Sequence, residues 1–413
     1  MPNLLKQITD IVLYLLVVVL VVVALLTASI RLSPGFSGAI EQRIEEQLSE
    51  LSQTAVDIES LQIDSNKFWL YFVAQNVHFI APGHTDRIWQ IERISISLAV
   101  FKSIVQQRVV LNEIVLQGLD LELLRDQQGR IHVNQLFVMP EQAAASQSSL
   151  LSQLRLQVLA ANIHWQDQLS QANYHFSNVS ALVDPSGEGA NLFFSGELPN
   201  ELGKQVVIRA AMDKGLADFQ KASIKFHSQL TAIRLAAVAE QLADVDGDNI
   251  VATLDGEAWG EMASMRLTAL RGSLALNQLV AQQQVDSHDR CLTEDQIEQV
   301  SLQYAWSRQE RDWEVLLDDI KIQTQDRPWP TSSARLSLVE HSSTARTVKA
   351  FMSFLNVGAV CNTVHSYAPY IDVLAENFQP FRFNSNIENL GLQFTLSDEH
   401  LADFDYSAKV TDA

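Results

Sequence analysis

Three short stretches carry side chains that could bind a metal or attack a substrate. DVDGDNIVATLD sets Asp244, Asp246, Asp248 and Asp255 at positions 1, 3, 5 and 12 of a calcium loop. Carboxylates so spaced can converge on a hard cation, but the loop also needs glycine at position 6 for its sharp turn. Here Gly247 stands at position 4 and Asn249 at position 6, and the next residues read as a strand instead of a helix. A solvated turn fits that pattern better. His288 and Cys291 form an HxxC pair with no second pair at zinc spacing. GFSGA, Gly35 to Ala39, misses the nucleophile pattern GxSxG at its last residue and lies in a helical stretch, away from any strand–turn–helix junction. No P-loop, HExxH or dinucleotide fingerprint occurs, and no pair of carboxylates stands apart from ordinary surface acids. The expectation is a protein without catalytic residues, bound metal or cofactor, and not an enzyme.

Charge narrows the partners. The formal net charge is -20 over 413 residues, with no basic block. Phosphate backbones need a surplus of Lys and Arg, so nucleic acid is excluded as a partner. Hydrophobic residues make up 47% and charged residues 19%, which argues for a large buried area and against disorder. The two cysteines, Cys291 and Cys361, are too few for a disulfide scaffold. They could pair in an oxidising compartment or remain separate structural thiols.

The elements that would position any site begin with IVLYLLVVVLVVVALLTASI. From Ile11 through Leu20 to Ile30 no residue is charged. Twenty helical residues span about 30 Å, the thickness of the hydrocarbon core. Thr27-Ala28-Ser29 offers small residues for signal cleavage, but the apolar run exceeds a usual signal core, so a retained anchor over 1–30 is expected. Phe36, Ile40, Ile44, Leu48 and Leu51 then share one face of an amphipathic helix whose polar face is acidic.

Beyond it the period changes to two. VDIESLQID, KFWLYFVAQNVHFIAPG, ERISISLAV and VVLNEIVLQGLDLELL read as strands, the last as one strand or a bent pair. Ile94, Ile96 and Leu98 share one face, and so do Leu119, Leu121 and Leu123. A unit over 31–140 closes with GRIHVNQL, and PEQAAASQSS (140–149) reads as a linker. From 150 to 413 more strands follow, including a hairpin with Arg308–Arg311 at its tip. LTAIRLAAVAEQL, with Leu235, Val238 and Leu242, together with TVKAFMSFLNV and HSYAPYIDVLAENF, carry helical spacing. Trp165, Trp259, Trp306, Trp313 and Trp329 fall in or beside strands, where core packing is the ordinary role. The fold class expected is mainly β with a few helices, without the strict helix–strand alternation of a parallel α/β sheet.

The order of these features resembles the AsmA-like family, specifically its YhdP branch. The anchor, the amphipathic helix, VDIESLQID, ERISISLAV and GLDLELLRDQQGRIHVNQL match the start of that family, although Ile131 stands where the family often has tryptophan. ANIHWQD, FSGELPNELGKQVVIRAAMD, DGEAWGE and RDWEVLLDDIKIQTQDRPWP follow in the expected order. The resemblance implies a transmembrane helix followed by an elongated antiparallel β-sheet groove with a chorein-like start. It implies a bridge-like phospholipid transporter, anchored in the inner membrane of a Gram-negative envelope with its bulk in the periplasm. Such a protein would support the outer-membrane permeability barrier and meet envelope proteins there. Members of this branch are longer than 413 residues, so the chain is expected to be an N-terminal portion.

Two readings of the strand faces stay open. Ile94, Ile96, Leu98, Leu119, Leu121 and Leu123 could line a lipid groove, or they could fill a sandwich core, since both demand the same alternation. In functional terms the alternatives are a lipid transporter and a membrane-anchored periplasmic scaffold for envelope assembly.

Overall fold

Period-two runs become strands, and the strands fall into two units. A computed structural model describes residues 55–66, 69–80, 87–99, 110–128, 131–133, 137–138, 154–236, 250–281, 297–309, 311–324, 328–341, 345–357, 385–397 and 400–412, with a few isolated positions besides. The chain divides between Asp184 and Pro185. The anchor residues Ile11, Leu20 and Ile30, the helix after them, the 140–149 linker, the HxxC pair and the stretch HSYAPYIDVLAENF lie outside the described residues. Among the described residues no helix is long and apolar enough to cross a membrane.

In the first unit β1 (Ala55–Asn66), β2 (Trp69–Ile80), β3 (Arg87–Ala99) and β4 (Leu111–Arg125) form an antiparallel meander. The short β5 (Ile131–Val133) and β6 (Phe137–Val138) make a hairpin beside the end of β4. Then β7 (Arg155–Asp167) runs parallel to β4, and β8 (Ala172–Ser186) pairs with β7 antiparallel. The parallel pair departs from the antiparallel order expected. A parallel return needs a long crossover, which the segment between β4 and β7 provides.

The second unit is a meander of eleven antiparallel strands. They are β9 (Gly189–Glu197), β10 (Gln205–Met212), β11 (Ser223–Arg234), β12 (Ile250–Ala263), β13 (Arg266–Ala281), β14 (Ile297–Gln309), β15 (Asp312–Thr324), β16 (Ser332–Glu340), β17 (Ala345–Asn356), β18 (Ser385–Ser397) and β19 (His400–Asp412). Each pairs with the next. A 3-10 helix, Leu216–Lys221, bridges β10 and β11.

One expected helix needs correction. TVKAFMSFLNV lies almost wholly in β17, because Val348, Ala350 and Met352 also fit period two, and β16 and β18 pair with it on both sides. Tertiary pairing overrides helical spacing that was only compatible. LTAIRLAAVAEQL begins inside β11, which runs to Arg234; Leu235 and Ala236 turn helical, and the residues after Ala236 lie outside the described residues.

Eight of the strands also change phase once. In β4 the apolar residues are Ile114 and Leu116, then Leu119, Leu121 and Leu123, with Gly118 at φ 63 between the two sets. A straight strand would turn the second set to the opposite face. The left-handed residue cancels that flip. Asn76 (φ 50) in β2, Ala160 (φ 50) in β7 and Asn178 (φ 50) in β8 occupy equivalent places, as do Ala232 (φ 49), Gln278 (φ 62), Asp319 (φ 51) and Asn389 (φ 55) in β11, β13, β15 and β18. In the second unit these are β-bulges, which bend and twist a strand.

Side chains brace the slips. Asp255 Oδ1 accepts the Ala232 N–H at 2.8 Å, Asn277 Nδ2 donates to Asp255 Oδ2 at 3.2 Å, and Gln299 Nε2 donates to Asn277 Oδ1 at 2.8 Å. A backbone N–H freed by a bulge must find an acceptor. Asp255, position 12 of the calcium pattern, is therefore a strand residue holding a bulge, while residues 244–249 lie outside the described residues.

Candidate functional site: an uncharged ribbon across the sheet

Residues directly opposite one another on paired strands share a face. Following the register through the second unit links one residue per strand: Leu192, Ala210, Phe226, Gly260, Leu270, Trp306, Val315, Leu336, Ala350, Leu392 and Tyr406. A parallel row runs Phe194, Ile208, Ser228, Ala258, Gly272, Tyr304, Leu317, Ala334 and Met352. Neither row holds Asp, Glu, Lys or Arg. Ten inter-strand steps of about 4.8 Å make the ribbon about 48 Å long, measured along the sheet.

The same rows are incompletely covered. Ile208 and Leu336 each keep 37% of their surface, whereas a filled core would bury them. A hollow of about 290 Å3 opens among Val315, Leu317, Leu336, Met352, Leu390 and Leu392. Two buried clusters flank the ribbon. Ala190, Met212, Ala222 and Ile224 close one margin with Phe219 of the 3-10 helix packed against them. Ile297, Ile320, Ile322 and Trp329 close the opposite margin, beyond the bulge at Asp319. The bulges thus lie near the line where the open ribbon passes into closed core.

Large rings are laid down where backbone is bare. A Cβ built on Gly260 would stand 2.1 Å from the Phe226 ring, and one on Gly272 would stand 1.8 Å from the Glu257 carbonyl oxygen and 2.9 Å from the Tyr304 hydroxyl. Burial pushes the Tyr304 phenol above its ordinary range, so it stays neutral at physiological pH. The opposite face is polar. There Lys225 meets Glu261 at 3.5 Å, Lys409 meets Glu388 at 2.7 Å, and Arg335 pairs with Glu314.

The first unit carries the residues singled out from sequence. Ile94 lies opposite Ala74 and Leu116, and Ile96 opposite Phe72 and Ile114. Leu98 pairs with Leu70 on β2, and Leu119 with Ile91 on β3. Leu121 and Leu123 lie opposite Ile163 and Trp165 of β7. Leu119 is buried, at 6% exposure, and the other five are half-buried. The phase slip at Gly118 brings both sets of β4 to one face. Sequence reading expected the groove to continue over 150–413 but named no lining residues in β9–β19. Their signal was present as a three-residue gap between apolar positions, Leu230 to Ile233 or Leu317 to Ile320, where two would be regular.

The tryptophans divide between the faces. Trp306 and Trp313 are half-buried and Trp329 is buried, in keeping with packing, but Trp259 stands 41% exposed on the polar face. A family model described as YhdP protein matches residues 1–413. Among curated proteins none matches.

Proposed function

The chain belongs to the YhdP family, and from that premise we propose that it moves phospholipid between the inner and outer membranes of a Gram-negative envelope. The observation that carries this reading is the uncharged, half-exposed ribbon from β9 to β19. An acyl chain of sixteen carbons costs about 13 kcal/mol to expose to water, at about 0.8 kcal/mol per methylene. A continuous apolar face lowers that cost at every step across the strands, and no covalent chemistry is required. Headgroups stay in water beside the ribbon. Residues 1–30 anchor the chain in the inner membrane, the bulk lies in the periplasm, and delivery of lipid maintains the outer-membrane permeability barrier.

The test is a photo-crosslinking amino acid placed singly at Leu270 or Leu336 on the ribbon and at Gln303 or Ser337 on the polar face. Ribbon positions are expected to label phospholipid, as read by mass spectrometry, and polar-face positions are not. Equal labelling from both faces would sink the groove.

A further inference from the structure

The polar face of the second unit holds a row that the lipid reading leaves without a role. Register aligns Phe193, Arg209, His227, Trp259 and Arg271 on successive strands β9 to β13. The Arg209 guanidinium lies over the Phe193 ring, 5.4 Å from its centre. The His227 imidazole stacks on the Trp259 indole, with centroids 4.9 Å apart and planes 21° apart. His227 is held in that pose by Glu257, whose Oε1 lies 2.7 Å from Nε2, and Gln229 donates to the same carboxylate oxygen at 3.3 Å. The result is a flat, preorganised aromatic surface, with 41% of Trp259 open to solvent.

Its electrostatics run against the rest of the chain. The protein carries a formal charge of -20. Around Trp259 the nearby acids are engaged, Glu257 by His227 and Glu261 by Lys225 at 3.5 Å. Among the described residues neither Arg209 nor Arg271 meets a carboxylate. Two uncompensated guanidinium groups therefore bracket the aromatic pair, three strand steps or about 14 Å apart.

We propose that this row is a docking surface for an anionic glycan, on the face opposite the lipid ribbon. An apolar ligand would need only the rings, and a simple anion only the arginines. An acidic oligosaccharide uses both. The C–H groups of a pyranose face carry partial positive charge and pack on the negative face of the indole. Its carboxylate or phosphate groups take the bidentate donors of Arg209 and Arg271. The span between the arginines suits a chain of sugars better than a single ring.

The experiment uses the full chain in mild detergent and follows Trp fluorescence and calorimetry with three probes: an oligogalacturonate, a malto-oligosaccharide of equal length, and a Glu-rich peptide. The oligogalacturonate alone is expected to bind, more weakly as salt rises. Trp259→Ala should weaken it about tenfold or more, and Trp259→Phe less. Arg209→Gln with Arg271→Gln should weaken binding and flatten its salt dependence, with the cooperative melt and the copurified phospholipid unchanged. Equal binding of the neutral sugar would overturn the role of the arginines. Equal binding of the peptide would make the surface a protein site, and binding of none would remove it. Loss of copurified phospholipid in the wild-type chain would count against the lipid reading and leave this one standing.

Discussion

At the scale of single residues, charge decides what the sheet tolerates. Asp167 ends β7, opposite Arg125 across the parallel pair at 3.2 Å, and its Oδ1 accepts the Leu169 N–H at 2.9 Å. Burial alone would raise its pKa, but the hydrogen bonds from Leu169 and Ser170 and the Arg125 guanidinium outweigh it and hold the carboxyl below its usual range. A carboxyl depressed on folding stabilises the protein above its unfolded pKa of about 3.9, and that contribution is lost as pH falls through the lower folded value. The melting temperature of Asp167→Asn should therefore be lower near neutrality and fall less steeply between about pH 5 and pH 2 than that of the wild type. Parallel acid slopes for the two proteins would refute the assignment. On the apolar face the expectation is different. Leu317→Asp or Leu121→Asp should keep a cooperative melt and lose most copurified phospholipid, since each side chain is half-exposed and its charge can reach water. Val77→Asp places the same charge at a site with no exposure and should abolish the melt. A Leu317→Asp protein that unfolds like Val77→Asp would return the ribbon to an ordinary core.

At the scale of the strand, the governing feature is the phase slip. Gly118 sits at φ 63, and a Cβ there would lie 2.3 Å from the Glu92 carboxylate. Left-handed backbone costs an L-residue about 1–2 kcal/mol, more for a branched one. Gly118→Val should thus destabilise the first unit by about that amount or more, whereas Asn76→Gly, at φ 50 but without a side-chain need beyond its 2.5 Å bond to Glu59, should change stability far less. Denaturant midpoints would check the pair. This scale also explains what was legible in the sequence. Strands such as β3, β14 and β15 were readable because polar and apolar residues alternate. The slip was written as Leu116-Gln117-Gly118-Leu119, yet a strict period of two treats it as a bent pair or a break. In β17 both periods fit the same residues, and only the neighbours on either side decide between them. The exposure of Trp259 was not legible, because it depends on which face of a long meander receives cover.

For the molecule as a whole, continuity is the property that matters. A lipid held at one point needs only a pocket, such as the hollow near Leu336. A lipid that moves across β9 to β19 needs every strand to present apolar surface in the same rows, which is what register and phase slips together achieve. The two demands separate under a single charge placed far from the hollow. Leu274 lies on β13, opposite Gly256 and Leu302. Leu274→Asp leaves the surface around Leu336 untouched, so copurified phospholipid should fall only in part. Movement along the ribbon must cross the charge, and acyl methylenes gain nothing from solvating a carboxylate. Transfer of a fluorescent phospholipid from donor to acceptor vesicles should then drop far more than bound lipid does, and Leu274→Asn should recover part of it. If bound lipid and transfer fall in proportion, the chain holds lipid in separate pockets and the ribbon is not a path.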